Sequence, residues 1–254
     1  MMHLVRPVIR QPRCLLVMTV FHTYDWTRLL LPAIQQHLPG IPLLIVDNNP
    51  HRADNKDKRA SYCGRSVYGK PTRWNRYCEA ESDLIHKECL SVLNTPWCMD
   101  HGRCIDLAAE WAVKEEFDVL FHIEPDCTVT GNRWFYALLN SILQGNWMAS
   151  GKRYPSQELH PTPSAWRLDV WETLGLSFVA FPRTLLGHER KFYFVVDIYR
   201  TLRTHQKHWD TGIYAWYRCA RKDKAAYVPC FDVEHHYRGS CNRLSGLGCN
   251  ILAG

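Results

Sequence analysis

The 254-residue sequence lacks any apolar run long enough to cross a membrane. Its most hydrophobic early stretch, Leu15–Phe21, falls far short of the ~20 residues a spanning helix needs. No small-residue cleavage signal follows it, so neither a signal peptide nor a membrane helix is expected. No two cysteines have C-x-x-C spacing, which argues against a zinc ribbon or a dithiol redox motif. The eleven cysteines are an odd number. A complete disulfide framework would leave one over, and reduced thiols in a cytoplasmic setting are expected instead. Long Lys/Arg runs are missing too. The densest basic stretch, Arg218–Lys224, contains Asp223 and reads as a solvated helix end. There is no internal repeat and no low-complexity tract, which excludes repeat arrays and compositional disorder.

Hydrophobic residues make up 46% of the chain and charged residues 22%, enough for a large core under an ordinary surface. The length suits one α/β enzyme domain. A net charge of +6 suits a phosphate-bearing partner, whether nucleic acid, an anionic membrane surface or a nucleotide-sugar, without choosing among them. Ten tryptophans serve equally as core packing or as platforms for sugars and bases.

Leu15–Phe21 predicts a strand buried on both faces. Asp25 is the expected cap of a following helix. Trp26, Leu29, Leu30, Ala33 and Ile34 share one face of it, Pro32 threatens its continuity, and Leu38-Pro39-Gly40 stops it. Leu43–Val46 predicts a second strand, closed by the turn Asp47-Asn48-Asn49-Pro50. The polar residues 51–81 predict no element. Helices are expected over Leu84–Leu93, Ile105–Glu115 and Trp134–Leu143, with a third strand at Phe117–Ile123. The second half is less regular: short strands at Phe178–Phe181 and Ala226–Val228, and a helix over Asp210–Arg221. Alternating strands and helices predict a mostly parallel central sheet covered by helices on both faces. Ligands of such sheets bind beyond the carboxyl ends of the strands, where Asp47, Glu124 and Asp126 fall.

Glu124-x-Asp126 directly follows an apolar strand. On an extended segment, residues i and i+2 point to one side, so both carboxylates could face one cation. Mn²⁺ or Mg²⁺ binds few protein oxygens and completes its shell with phosphate and water. The run Phe117–Asp126 resembles the strand and D-x-D motif of GT-A glycosyltransferases, especially the family 2-like group. Leu15–Tyr24 and Ile45-Val46-Asp47-Asn48-Asn49 resemble that group's first two strands and nucleoside-binding loop. Glu124 stands where the family's first acid is Asp, and Asp126 takes the position the family relies on for metal.

The resemblance implies a GT-A domain over residues 14–238, with residues 1–13 an N-terminal extension and 239–254 a tail or lid. It implies transfer of a sugar from a nucleotide-diphosphate donor to a glycan, lipid-linked or small-molecule acceptor. Asp47 would contact base or ribose, with Thr19 and Phe21 lining the same pocket and Glu124 beside them. In His101–Asp106, near the expected donor, Arg103 suits a phosphate, though the Asn usual in the family is absent. His160–Arg167 resembles an acceptor-side loop and strand, implicating His160 and Ser164. Asp210, in His208–Gly212, matches the position of the catalytic base that takes the acceptor proton in an inverting reaction, with Trp209 stacking on sugar; Asp210 also suits a helix cap. In Glu234–Tyr237, His236, with His235 as the alternative, would complete the metal shell. Peripheral membrane association is left open by the charge.

Two other classes compete. A nucleotidyltransferase would carry a Gly-rich basic loop after the first strand, but Phe21-His22-Thr23-Tyr24 has no Gly. A nucleic-acid-binding protein would use a basic, aromatic stripe, for which Arg65–Arg76 is the best stretch, but acids at strand ends would repel its phosphates. Nucleic acid is therefore not an expected partner.

Overall fold

The computed structural model describes residues 11–20, 24–47, 91–94, 101–153, 158–178 and 211–236. Its elements are β1 (Cys14–Val20), α1 (Tyr24–His37), β2 (Leu43–Asp47), β3 (Ser91–Asn94), α2 (His101–Lys114), β4 (Val119–Ile123), β5 (Cys127–Val129), α3 (Arg133–Leu143), β6 (Met148–Ser150), β7 (Ser164–Arg167), α4 (Leu168–Leu174), α5 (Ile213–Ala220), β8 (Ala225–Tyr227) and β9 (Val233–His235).

Seven strands form one sheet in the order β3-β2-β1-β4-β7-β6-β8. The first four run parallel, β7 is antiparallel to both β4 and β6, and β6 pairs in parallel with β8. The strand β1 is interior to the sheet, between β2 and β4, and every one of its side chains is buried. Alternation sends Leu16, Met18 and Val20 to one face, where α1 and α3 supply Leu30, Ile34, Trp134, Phe135 and Leu138. Leu15 and Val17 face the other side, where α2 lays Ile105, Ala108, Ala109 and Ala112 against the sheet. The three alanines let that helix approach closely. Each fully buried Leu or Phe in these layers stabilises the fold by about 1.5–3 kcal/mol relative to exposure.

Several expectations change. Ser91–Asn94 is a strand, pairing with Leu44–Asp47, so the helix expected over Leu84–Leu93 does not extend through its last residues. The helix α1 runs unbroken through Pro32, which lies on its exposed side. Leu29 is 57% exposed and leaves the expected apolar face, which instead includes Leu31, and Leu38 is buried just past the helix end. Phe178 is in no strand; its ring packs edge-on against Trp166. Residues 179–181 lie outside the described residues, as do 1–10 and 237–254, which hold most of the expected extension and the tail. The helix expected from Asp210 begins at Ile213 behind Gly212, whose φ of 79° is the left-handed conformation that glycine tolerates. No helix among the described residues is long and apolar enough to cross a membrane. Their five cysteines, Cys14, Cys104, Cys127, Cys219 and Cys230, are free thiols.

Candidate functional site

The chain leaves β4 at Ile123 into a turn, closed by the Cys127 N–H donating to the Glu124 carbonyl at 3.2 Å. The turn, rather than an extended i, i+2 alternation, brings Glu124 and Asp126 together. The strand β5 then pairs antiparallel with β9, with Cys127 opposite His235. That register sets the His235 ring beside the acids. Its Nε2 stands 2.8 Å from Glu124 Oε2 and 3.2 Å from Asp126 Oδ1. One ligand atom from each of the three lies within 4.8 Å of the others. Burial disfavours a charged His235 ring, but hydrogen bonds to Asp126 and Glu124 outweigh it and raise its pKa to about 9. Burial would raise Glu124, but the His235 hydrogen bond and the nearby His101 hold its carboxyl well below the usual carboxylate range.

Three further side chains surround this cluster. Lys152, just past β6, places Nζ 2.8 Å from His235 Nδ1 and 3.1 Å from the His235 carbonyl oxygen. Burial lowers its pKa below the ordinary lysine value. His101, at the start of α2, has Nδ1 3.8 Å from Glu124 Oε1. The His160 ring packs tilted against His235 with 4.8 Å between ring centroids, and burial lowers its pKa to about 3. Behind them lies His122, fully buried in β4, its pKa also lowered to about 3 by burial and by His101.

Of the residues singled out from sequence, Glu124, Asp126, His235 and His160 converge. The ring of His236 does not join them: its Nε2 is 2.8 Å from Thr128 Oγ1, and Trp26 packs on it at 5.7 Å. Thr19 reaches the site indirectly, its Oγ1 2.7 Å from His101 Nε2 and 3.2 Å from His122 Nε2. Asp47 is placed by its backbone at the same carboxyl edge, opposite Val20. Arg103 pairs with Glu110 at 2.8 Å along α2. Ser164 is turned inward, donating to the Pro161 carbonyl and accepting from Trp166 Nε1 at 2.8 Å. Phe21, Trp209 and Asp210 lie outside the described residues. His101, His122 and Lys152 were not singled out. A polar His122 inside an otherwise apolar strand, two residues before Glu124, was the available signal; Lys152 had none.

A parallel sheet edge carrying two acids and an imidazole, with helices on both faces and an antiparallel strand inserted after β4, defines the GT-A fold. No family model matches the chain, and no curated protein matches it in sequence. Solved structures do match. The crystal structure of GalNAc-T7 with UDP, GalNAc and Mn²⁺ superposes with a TM-score of 0.53 at 14% identity, over 91% of this chain and 45% of that one. The mannosyltransferase PcManGT of Pyrobaculum calidifontis, in complex with GDP-Man and Mn²⁺, follows at a TM-score of 0.48 and 11% identity, over 89% of this chain and 57% of that one. A cytidylyltransferase of Leptospira borgpetersenii matches at a TM-score of 0.44 and 9% identity, over 90% of this chain and 80% of that one. The chain thus spans about half the length of the first two.

Proposed function

We propose that the protein is a metal-dependent glycosyltransferase that takes its sugar from a nucleotide-diphosphate donor. The convergence of Glu124, Asp126 and His235 at the carboxyl edge of a GT-A sheet carries this reading. Two carboxylates and an imidazole form a donor set that suits Mn²⁺, and Mg²⁺ more weakly through the carboxylates alone. A bound divalent ion would supply charge neutralisation for the departing diphosphate. The protein's own groups do the rest. Asp126, Glu124 and His235 hold the ion. Asp47 and Thr19, at the ends of adjacent strands, bound the nucleoside pocket together with Phe21. Lys152 adds positive charge beside the site, and Arg103 is available to phosphate if it leaves Glu110. His160, Ser164 and Trp209 belong to the acceptor side. Asp210 takes the proton of the acceptor hydroxyl as that oxygen attacks the anomeric carbon opposite the breaking bond to the diphosphate, so the transfer inverts the configuration. The acceptor is a glycan, a lipid-linked sugar or a small molecule. Among the described residues all five cysteines are free thiols, four of them buried, which favours a reducing compartment such as the cytoplasm.

The test is a thermal-shift panel of UDP, GDP, CMP, dTDP and CTP with and without Mn²⁺. A nucleoside diphosphate whose stabilisation grows with Mn²⁺ is the expected result, abolished in Asp126→Ala. Synergy confined to CTP would favour nucleotidyl transfer instead. Asp210→Ala is expected to keep donor binding and lose transfer; unchanged turnover would remove it as the base.

A further inference from the structure

Glu124 lies between two imidazoles. Its Oε2 stands 2.8 Å from His235 Nε2, and its Oε1 stands 3.8 Å from His101 Nδ1. The two histidines come from β9 and from the start of α2, far apart in the chain. Behind Glu124, one buried side chain reaches toward both. His122, two residues earlier on β4, has no exposed surface, and each of its ring nitrogens has a polar partner.

On one side, the Pro161 carbonyl and Thr162 Oγ1 each lie 3.0 Å from His122 Nδ1. The carbonyl can only accept, and two opposed lone pairs are costly in a buried place, so Nδ1 carries a hydrogen. Ser164 donates to the same carbonyl. Thr162 then gives its backbone N–H to His160 Nδ1 at 3.0 Å, and the His160 ring packs against His235. This side of His122 leads through Thr162 and His160 to His235.

On the other side, His122 Nε2 lies 3.2 Å from Thr19 Oγ1, and the same oxygen lies 2.7 Å from His101 Nε2. A hydroxyl offers one hydrogen and two lone pairs. Thr19 gives its hydrogen to His122 Nε2 and accepts from His101 Nε2–H. A charged His101 fits this arrangement: it donates from Nε2 and turns its second N–H toward the Glu124 carboxylate. This side leads through Thr19 to His101. The two sides meet again at Glu124 and close a circuit around it.

We propose that His122 is the positioning residue of this site, orienting both histidines that flank Glu124: His101 through Thr19, and His235 through Thr162 and His160. The orientation belongs to the metal-free protein; its consequence for Mn²⁺ rests on the metal reading above. Outer partners of this kind are worth about 10–100-fold in metal affinity.

The test reads the imidazole signals of His101 and His235 by ¹H–¹⁵N NMR of the metal-free full chain, then titrates Mn²⁺. His122→Asn sets an amide nitrogen where Nδ1 stands and loses the Nε2 contact, so the His101 signals should move and those of His235 should stay. His122→Gln sets an amide oxygen where Nε2 stands and loses the Nδ1 contact, so the pattern should reverse. Thr19→Val should act like His122→Asn and Thr162→Val like His122→Gln, with serine at either position restoring the wild-type signals. Mn²⁺ affinity should fall about tenfold or more in the variants that move His235, and less in those that move only His101. If the His122 variants fail to fold, the threonine pairs decide. Signals unmoved in the folded variants overturn the proposal. So do signals that move together in all of them, which is the mark of a loosened core. Moved His235 signals with unchanged Mn²⁺ affinity, while Asp126→Ala loses binding, also overturn it and leave the metal site standing. No Mn²⁺ binding by the wild type removes the metal reading alone, and the imidazole signals then decide the proposal.

Discussion

His235 Nε2 stands 2.8 Å from Glu124 Oε2. The next ring along the chain, His236, points to Thr128 and Trp26 instead. Adjacent residues of an extended strand face opposite sides, so the β5–β9 register commits one histidine of the pair to the acids. His235→Ala should lower Mn²⁺ affinity at least tenfold, whereas His236→Ala should change it less than twofold. Titration calorimetry of both variants checks this, and equal losses would contradict it.

Asp106 lies in α2, yet its carboxylate serves another segment, accepting the Phe178 N–H at 2.7 Å and the Ser177 hydroxyl at 2.7 Å. It ties the helix to the chain that follows α4. Burial raises its pKa from 3.8 to about 6 against the opposing pull of these hydrogen bonds. Between those values the folded protein holds a proton that the unfolded chain has released. Stability from this group therefore falls as pH rises from about 4 to 6, and above that range the buried charge costs about 3 kcal/mol. Asp106→Asn removes the charge and retains an acceptor. Its stability advantage over the wild type should be largest at pH 7 and shrink by about 3 kcal/mol at pH 4, read from urea unfolding at both pH values. Asp106→Ala should instead cost about 1–3 kcal/mol at low pH by orphaning the Phe178 N–H. A difference between wild type and Asp106→Asn that does not vary with pH would contradict the buried-charge account.

The strands β1, β2 and β4 were legible because parallel strands buried on both faces must be mostly apolar, as Leu43–Val46 is throughout, Leu15–Val20 is but for Thr19 and Val119–Ile123 is but for His122. Glu124 and Asp126 were legible as acids ending such a strand. The antiparallel half was not. Met148–Ser150, Cys127–Val129 and Val233–His235 are three residues each, too short to show a period of two. Ser91–Asn94 sets two adjacent apolar residues between polar ones and shows no alternation, and its first three residues were read as the end of a helix. Choosing His235 over His236 depends on which residue faces Cys127 across β5, a register that spacing alone does not contain. Lys152 and His101 reach the site only through tertiary packing.

Gly151 sits between β6 and Lys152. A Cβ there would come within 2.7 Å of Cys230 Sγ and 2.9 Å of Pro163 Cγ. Neither neighbour is the free end of a flexible chain: the proline ring is fixed, and Cys230 packs against the core. Gly151→Ala should destabilise the fold by about 1–3 kcal/mol through overpacking. It should also displace Lys152 from His235, seen as a changed His235 imidazole shift in NMR. Wild-type stability in this variant would show that the contact relaxes freely.

Asp232 caps a helix it does not belong to. The residue before α3, Asn132, makes no side-chain cap bond, while the Asp232 carboxylate accepts the N–H groups of Arg133 at 2.6 Å and Trp134 at 2.9 Å. An anion at the positive end of the helix is favourable both as acceptor and as charge. Gly131 makes room for it, since a Cβ there would meet Asp232 Oδ2 at 2.7 Å. Asp232 also opens the strand that presents His235, so the cap anchors a candidate ligand as well as the helix. Asp232→Ala should cost about 1–2 kcal/mol and Asp232→Asn less, because the amide oxygen still accepts. Gly131→Ala should resemble Asp232→Ala, since the methyl pushes the carboxylate out. Because β9 loses its tether to α3, Asp232→Ala should also weaken Mn²⁺ binding several-fold, and Asp232→Asn should restore most of it. Urea unfolding and Mn²⁺ titration on the same samples separate the two effects: a stability loss with unaltered Mn²⁺ affinity would mean that β5 alone holds His235 in place.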